Sequence, residues 1–315
     1  MNSRNRCIVV WLTNKKVSAW NFDEAHRLRL EKALPGVRVL LCRSKEEFLA
    51  ALPAATAALV WVMKQEWLAG ADKLRLIVTP TAGKDFFSIT LPPRIALHYS
   101  SFHGHVIAES VLGMMLCHAR GLLTACRLQE LNPWPLTEVS RGQRLLRGSR
   151  LTILGFGSIG THIARLAGVC GVRITAVRRS EVASPPWFGP DDRMARPEEL
   201  DHILPATDHL VLCLPRSPES DNILDSRRIG LLPTQAAVYN VGRGNAVDET
   251  ALAAALKEGR LGAAYLDVFR EEPLAESSPL RKCPNCLIMP HASGVAPDFM
   301  DLFIDEFLTR HAGKI

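Results

Sequence analysis

The chain has 315 residues, 47% of them hydrophobic and 22% charged, with a net charge of +6 and a pI of about 9.0. At the usual ~100–200 residues per domain, that length and balance suit about two domains with sizeable cores. No apolar run reaches the ~20 residues of a membrane helix, and the spread-out basic residues suit a small anionic ligand, with no nucleic-acid motif beside them.

Met1–Arg6 leads into only a short apolar run and the charged pair Lys15-Lys16, which does not read as a secretory leader. The eight cysteines are scattered, and Cys7, Cys42, Cys117 and Cys213 sit inside apolar runs. They read as reduced thiols packed as small hydrophobes in a cytoplasmic protein. Cys283-Pro284-Asn285-Cys286 has no second pair to complete the four ligands of a zinc site, so no metal is expected.

Residues 7–12 read as a first strand, 24–34 as a helix ended by Pro35-Gly36, and 37–41 as a second strand. A helix over 45–52 and strands over 57–62 and 74–78 follow. Strands alternating with helices imply a parallel, doubly wound sheet. Ligands meet such sheets beyond the carboxyl ends of the strands, which singles out Thr79-Pro80-Thr81-Ala82-Gly83-Lys84. After strand and loop with Pro92-Pro93, one long helix is predicted from Gly104 to about Arg127. Ile107, Ala108, Val111, Leu112, Met115 and Leu116 recur in it at helical spacing. So apolar a helix is expected to be buried against another domain or subunit. Asn132-Pro133-Trp134-Pro135 breaks the pattern.

Leu151-Thr152-Ile153-Leu154 then reads as a buried strand running straight into Gly155-Phe156-Gly157-Ser158-Ile159-Gly160, with helical spacing continuing through His162–Ala167. Strand, Gly-x-Gly-x-x-Gly and helix together form the dinucleotide fingerprint. Gly155 makes the tight turn, Gly157 lets a pyrophosphate approach the backbone, and Gly160 lets helix and strand pack closely. The phosphates would rest on the exposed N–H groups of the helix start, around Ser158 and Ile159. The plainer alternative is an ordinary turn whose glycines supply tightness alone.

The next strand, 173–177, ends in Arg178-Arg179-Ser180. An NAD site has a carboxylate there to bind the ribose 2′-hydroxyl. Guanidinium groups instead match a 2′-phosphate in a bidentate way, so NADP(H) is expected over NAD(H). Downstream the pattern predicts helices over 197–204, 249–258 and 299–310. It predicts strands over 210–214, 236–240, 263–267 and 286–289.

Three of these strand ends carry chemistry: Arg243 in Asn240-Val241-Gly242-Arg243-Gly244, the carboxylates of Asp267 to Glu272, and His291 after Pro290. Reduction of a 2-oxo acid needs a cation to hold the acid and polarise its carbonyl. It also needs an imidazole to give the oxygen a proton, and a carboxylate to orient that imidazole.

These runs, with Val247-Asp248-Glu249-Thr250-Ala251-Leu252, Leu266-Asp267-Val268-Phe269, Glu272-Pro273-Leu274 and Pro290-His291, resemble the D-isomer-specific 2-hydroxyacid dehydrogenase family. The resemblance covers about Thr79 to Gly294. It is similar to the NADPH-dependent glyoxylate and hydroxypyruvate reductases within that family. It implies two doubly wound parallel-sheet domains with a cleft between them. One is a flavodoxin-like substrate domain over 1–100 and 293–315, its second part little more than one helix. The other is a Rossmann cofactor domain over 101–292. It implies that Arg243 binds the substrate carboxylate, that Glu272 pairs with His291, and that His291 is the acid in reduction and the base in oxidation. It further implies backbone contacts from Ala82 and Gly83 to the substrate carboxylate. Leu214, Pro215 and Val241 would lie against the cofactor, and Asp267 would bond the nicotinamide carboxamide. A homodimer built through the long helix is implied as well.

The chain also departs from the family pattern. Gly242 stands where Ala or Ser is more usual, a change expected to matter little. Ala292-Ser293-Gly294 replaces a more usual Ile-Gly and is expected to alter the pocket wall. Lys84 adds a cation by Gly83, while His103 and His105 at the start of the long helix suit a hinge or structural role. Glu271 is an alternative to Glu272. Formate oxidation is disfavoured because those relatives carry Gln at the position of Glu272, and phosphite oxidation needs a differently placed lysine. A separate reading is an NAD(P)H-sensing binding protein or co-repressor with vestigial activity. No membrane or nucleic-acid partner is expected.

Overall fold

Most strands are runs of three to five buried aliphatic and β-branched residues, the pattern of parallel sheets covered on both faces. The computed structural model describes residues 6–129, 131 and 134–314. Met1–Asn5, where no leader is expected, and the helix-breaking Asn132-Pro133 lie outside the described residues, as do Glu130 and Ile315.

The chain divides into two compact units. One runs to His103 and resumes at Val295; the other spans Gly104–Gly294. In the first, β1 (Arg6–Trp11), β2 (Val37–Leu41), β3 (Ala57–Val60), β4 (Leu76–Thr79) and β5 (Ala96–Tyr99) form a parallel sheet in the order β2-β1-β3-β4-β5. That is the flavodoxin-like order. The intervening helices α1 (Glu24–Ala33) and α2 (Lys45–Ala51) start where a side chain can accept an orphan N–H. Asp23 accepts from His26 N at 3.0 Å and Ser44 from Glu47 N at 3.1 Å.

The single long helix predicted over 104–127 is two helices, α3 (His103–Ala119) and α4 (Leu122–Leu128), bent by 65°. Gly121 stands between them with φ +65°, a left-handed conformation that ends a helix and that glycine adopts without a Cβ penalty. Among the described residues no single helix is long and apolar enough to cross a membrane, although the bent pair reaches that length and composition. Ile107, Ala108, Val111, Met114, Met115 and Ala119 of α3 are buried against the second unit's own core. A short α5 (Leu136–Gly142) follows.

The second sheet comprises β6 (Arg150–Leu154), β7 (Arg173–Val177), β8 (Arg193–Ala195), β9 (His209–Leu212), β10 (Ala237–Asn240), β11 (Ala263–Leu266) and β12 (Cys286–Ile288). All are parallel, in the order β12-β11-β10-β9-β6-β7-β8. This is the 3-2-1-4-5-6 Rossmann order extended by one strand. The three-residue edge strand β8 and helix α8 (Ser226–Leu231) were not legible in the sequence. The remaining helices here are α6 (Ser158–Val169), α7 (Leu200–Ile203) and α9 (Glu249–Lys257). The helix expected over 197–204 is only one α turn flanked by 3-10 turns, because Pro197 and Pro205 restrict it.

The final helix, α10 (Phe299–His311), belongs to the first unit. Phe299, Met300, Phe303, Ile304 and Phe307 are buried in one cluster with Ile8, Val10, Leu59 and Val78. At ~1.5–3 kcal/mol for each large apolar side chain removed from water, this face anchors the chain's return. Glu306 adds acceptors for the backbone N–H groups of Ser101, at 2.9 and 3.0 Å, and Phe102, at 2.9 Å.

Candidate active site

The sheet order reverses between β6 and β9, and ligands of doubly wound sheets bind outside the carboxyl ends at that point. The glycine turn lies there. Gly155 has φ +98°, and a Cβ on it would come within 2.8 Å of the Cys213 carbonyl oxygen. A Cβ on Gly160 would come within 2.3 Å of the Gly155 carbonyl oxygen, so both glycines are sterically required. A Cβ on Gly157 would meet nothing within 4 Å. Gly157 is the exposed N-cap of α6, with Ser158 and Ile159 opening the helix. The start of the helix and the open side at Gly157 would fit a phosphate.

Beside this turn is a cavity of about 380 Å³. Leu154, Val177, Leu200, Leu214 and Ile223 supply apolar walls, Pro215 and the glycines a rim, and Arg178, Arg179 and Ser180 one charged end. Those residues fit a dinucleotide's adenosine and a 2′-phosphate. Arg178 is fixed through its N–H to the Ala195 carbonyl at 3.1 Å, a consequence of the unforeseen β8. The exposed Arg179 guanidinium lies 3.4 Å from Glu219, the one carboxylate in the cavity wall. Arg196 donates to the Arg179 carbonyl. Neither partner was signalled by the sequence, because both meet Arg179 only across loops. A larger cavity of about 790 Å³, lined by Arg147, Gly148, Gly171 and Trp187 among others, opens at the amino ends of β6 and β7, away from this edge.

Adjacent strands β10, β11 and β12 carry the titratable groups. Arg243 follows β10, half-buried and extended (φ −140°, ψ 142°), and Asn240 Nδ2 holds its carbonyl at 3.1 Å. A Cβ on Gly244 would come within 1.8 Å of the Phe269 carbonyl carbon, and one on Gly242 within 2.7 Å of the Leu214 backbone. Gly242 therefore matters to the close packing beside Val241 and Leu214, contrary to expectation. After β11, Glu272 Oε1 accepts from Phe269 N at 2.9 Å, while Oε2 lies 2.8 Å from His291 Nδ1. Glu272, rather than Glu271, is thus the carboxylate that meets His291. The pair is open to solvent, at 45% and 34% side-chain exposure.

His291 is one of two non-glycine residues with positive φ, at 54°, among the described residues. Its N–H donates to the Asp267 carbonyl at 2.9 Å. The buried Asp267 carboxylate accepts from Ala292 N at 2.7 Å, from Ser293 N at 3.0 Å and from the Ser293 hydroxyl. Ser293 is buried, between the half-buried Ala292 and Gly294. Its burial follows from the carboxylate it satisfies.

In the first unit, Ala82 and Gly83 follow β4 in a loop where Thr81 bonds Thr79 and Gly83, with Lys84 exposed beside them. His103 stacks on Phe102 at 4.1 Å, and burial pushes its pKa down to about 4, which suits a structural role. In the second unit His105 packs edge-on to His162 at 4.1 Å, and burial first, then His162, lowers its pKa. The eight cysteines are free thiols; burial pushes Cys213 and Cys286 up to about 12, far from a reactive thiolate.

Residues 112–293 match the family model for the D-isomer specific 2-hydroxyacid dehydrogenase NAD binding domain. The chain is 33% identical over 236 residues to glyoxylate/hydroxypyruvate reductase B of Yersinia enterocolitica, covering 72% of this chain and 70% of that one. It is 29% identical over 237 residues to glyoxylate reductase of Aeropyrum pernix, covering 72% and 69%. Among solved structures it resembles a D-isomer specific 2-hydroxyacid dehydrogenase of Xanthobacter autotrophicus in complex with NADPH and MES, with TM-score 0.76 and 27% identity over 99% of this chain and 96% of that one. A family protein of Aeromonas salmonicida gives 0.77 and 29%, over 99% and 97%.

Proposed function

From the premise that the chain belongs to the D-isomer specific 2-hydroxyacid dehydrogenase family, we propose that it reduces a small 2-oxo acid of the glyoxylate or hydroxypyruvate kind to the D-2-hydroxy acid, with NADPH preferred over NADH. The observation that carries the reaction is His291 Nδ1 at 2.8 Å from Glu272 beside Arg243 on the neighbouring strand end. The reductase names of its relatives favour an enzyme over a sensor, and the sensor reading is not taken further.

When bound, the nicotinamide supplies the hydride. Glycines 155, 157 and 160 with Ser158 and Ile159 would hold its pyrophosphate, Arg178, Arg179 and Ser180 the 2′-phosphate, and Leu214, Pro215 and Val241 its apolar faces. Arg243 binds the substrate carboxylate and draws electron density from the carbonyl. Glu272 accepts a hydrogen bond from His291 Nδ1, which fixes the orientation and tautomer of the imidazole. Nε2 then gives its proton to the carbonyl oxygen as it becomes an alkoxide; in oxidation it takes the proton back. Asp267 offers an acceptor to the carboxamide.

We also read the protein as a cytoplasmic homodimer paired through α3, which light scattering of the purified chain tests. The reaction is tested by following NADPH consumption with glyoxylate, hydroxypyruvate and pyruvate. Turnover with at least one is expected, with higher kcat/KM for NADPH than for NADH. A protein that binds NADPH and turns over no 2-oxo acid overturns the reading.

A further inference from the structure

We propose that Ser293 is a positioning residue for His291: through Asp267 it locks the loop that carries the imidazole, and Ser110 fastens that lock to α3. The inference rests on the assignment of His291 as the proton donor.

The loop after β12 needs locking, because His291 sits at φ 54°, a left-handed conformation that is sterically strained for a non-glycine residue and persists only where its surroundings impose it. What imposes it is Asp267. Its backbone carbonyl takes the N–H of His291. Its carboxylate takes the next two N–H groups in the chain, Ala292 at 2.7 Å and Ser293 at 3.0 Å, both on Oδ1. Three consecutive N–H groups therefore converge on one residue.

Ser293 closes the network. Its hydroxyl donates to Oδ2, and both side chains are 2% exposed. Its carbonyl accepts from the Ser110 hydroxyl of α3 at 3.0 Å. The three donors on the Asp267 carboxylate are two backbone N–H groups and this hydroxyl. A carboxylate has about four acceptor directions, so three are occupied and one remains on Oδ2 for an amide donor. Without the hydroxyl, Oδ2 becomes a buried charged oxygen short of a donor. The loop can then relieve it only by moving, and His291 moves with the loop.

Arg243 stands on a different strand end, after β10, where its carbonyl is held by Asn240. The consequence is specific: loss of the hydroxyl should disturb proton delivery more than substrate binding. Ser293→Ala is expected to lower kcat about tenfold while KM for the oxo acid changes less than about threefold. Ser293→Thr, which keeps the hydroxyl, should restore most of kcat, and Ser110→Ala should shift kcat in the same direction by a smaller factor. A second readout needs no turnover. In the cofactor-free protein, the NMR signal of the His291 Nδ1 proton, shifted far downfield by Glu272, should broaden or move upfield in Ser293→Ala and stay in Ser293→Thr.

The proposal is overturned if Ser293→Ala leaves kcat and the Nδ1 proton signal unchanged, or if kcat and KM change in Ser293→Thr as they do in Ser293→Ala. If Ser293→Ala fails to fold, Ser110→Ala decides by the same two readouts. Absence of turnover in the unmodified protein would count against the reductase reading instead, and the NMR comparison would still judge the lock.

Discussion

At the scale of single residues, the site separates groups that do chemistry from groups that only permit it. His291→Ala removes the proposed proton donor and is expected to cut kcat by about 10²–10⁴-fold, with NADPH affinity, measured by fluorescence titration, within a few-fold of the original. A near-normal kcat would refute the assignment. Arg243→Ala removes charge-assisted contacts of roughly 1.5–3 kcal/mol, and kcat/KM for the oxo acid should fall by about 10²-fold. Gly244→Ala tests permission: its Cβ would have to sit within 1.8 Å of the Phe269 carbonyl carbon. A loss of about 3 kcal/mol or more is expected, read as a drop in Tm or in soluble yield. Arg243, Glu272 and His291 stood out in the sequence because each is a charged or titratable residue at a strand end beside Gly or Pro. Ser293 and Ser110 did not, since a hydroxyl that satisfies a buried carboxylate looks like any other serine until the loop closes on it.

At the scale of elements, the unit β6–glycine turn–α6 was legible because its geometry is local. Four buried residues, three spaced glycines and an amphipathic helix leave one way to turn. The Arg178-Arg179-Ser180 end of β7 was equally local as a strand end, but its setting was not. The edge strand β8 that holds Arg178, and Glu219 beside Arg179, come from segments 15 to 40 residues away. Arg178→Asp should move cofactor preference toward NADH, read as the ratio of kcat/KM values for the two cofactors; an unchanged ratio would refute the 2′-phosphate assignment. The long helix was misread for a physical reason. Hydrophobic spacing continues across Gly121, and spacing carries no information about φ, so the bend between α3 and α4 was invisible.

At the scale of the whole molecule, each unit holds a histidine whose pKa is depressed by burial, His103 in the first and His209, bonded to Tyr239 at 2.9 Å, in the second. Burial pushes both pKa values down to about 4. Unfolding releases them to about 6.5, so the unfolded chain binds more protons between these values. The stability they contribute is fully present above about pH 6.5, falls as pH drops toward 4, and loses nothing more from this source below that. The slope is at most about 1.4 kcal/mol per pH unit for each histidine, and His209→Asn should flatten the Tm-against-pH curve over this window. Saturating NADPH, at about 100 times its Kd, should add roughly 2.7 kcal/mol, seen as a rise in Tm. By itself the sequence determined the two parallel α/β folds, the glycine cradle and the order of the charged strand ends, because periodicity, turn chemistry and short motifs are properties of neighbouring residues. Only the tertiary structure decided that Glu272 rather than Glu271 meets His291, that Gly242 has no room for a side chain, and that the Asp267 carboxylate takes the backbone N–H groups of Ala292 and Ser293. Those contacts join residues tens of positions apart, and their geometry exists only once the strands have been laid side by side.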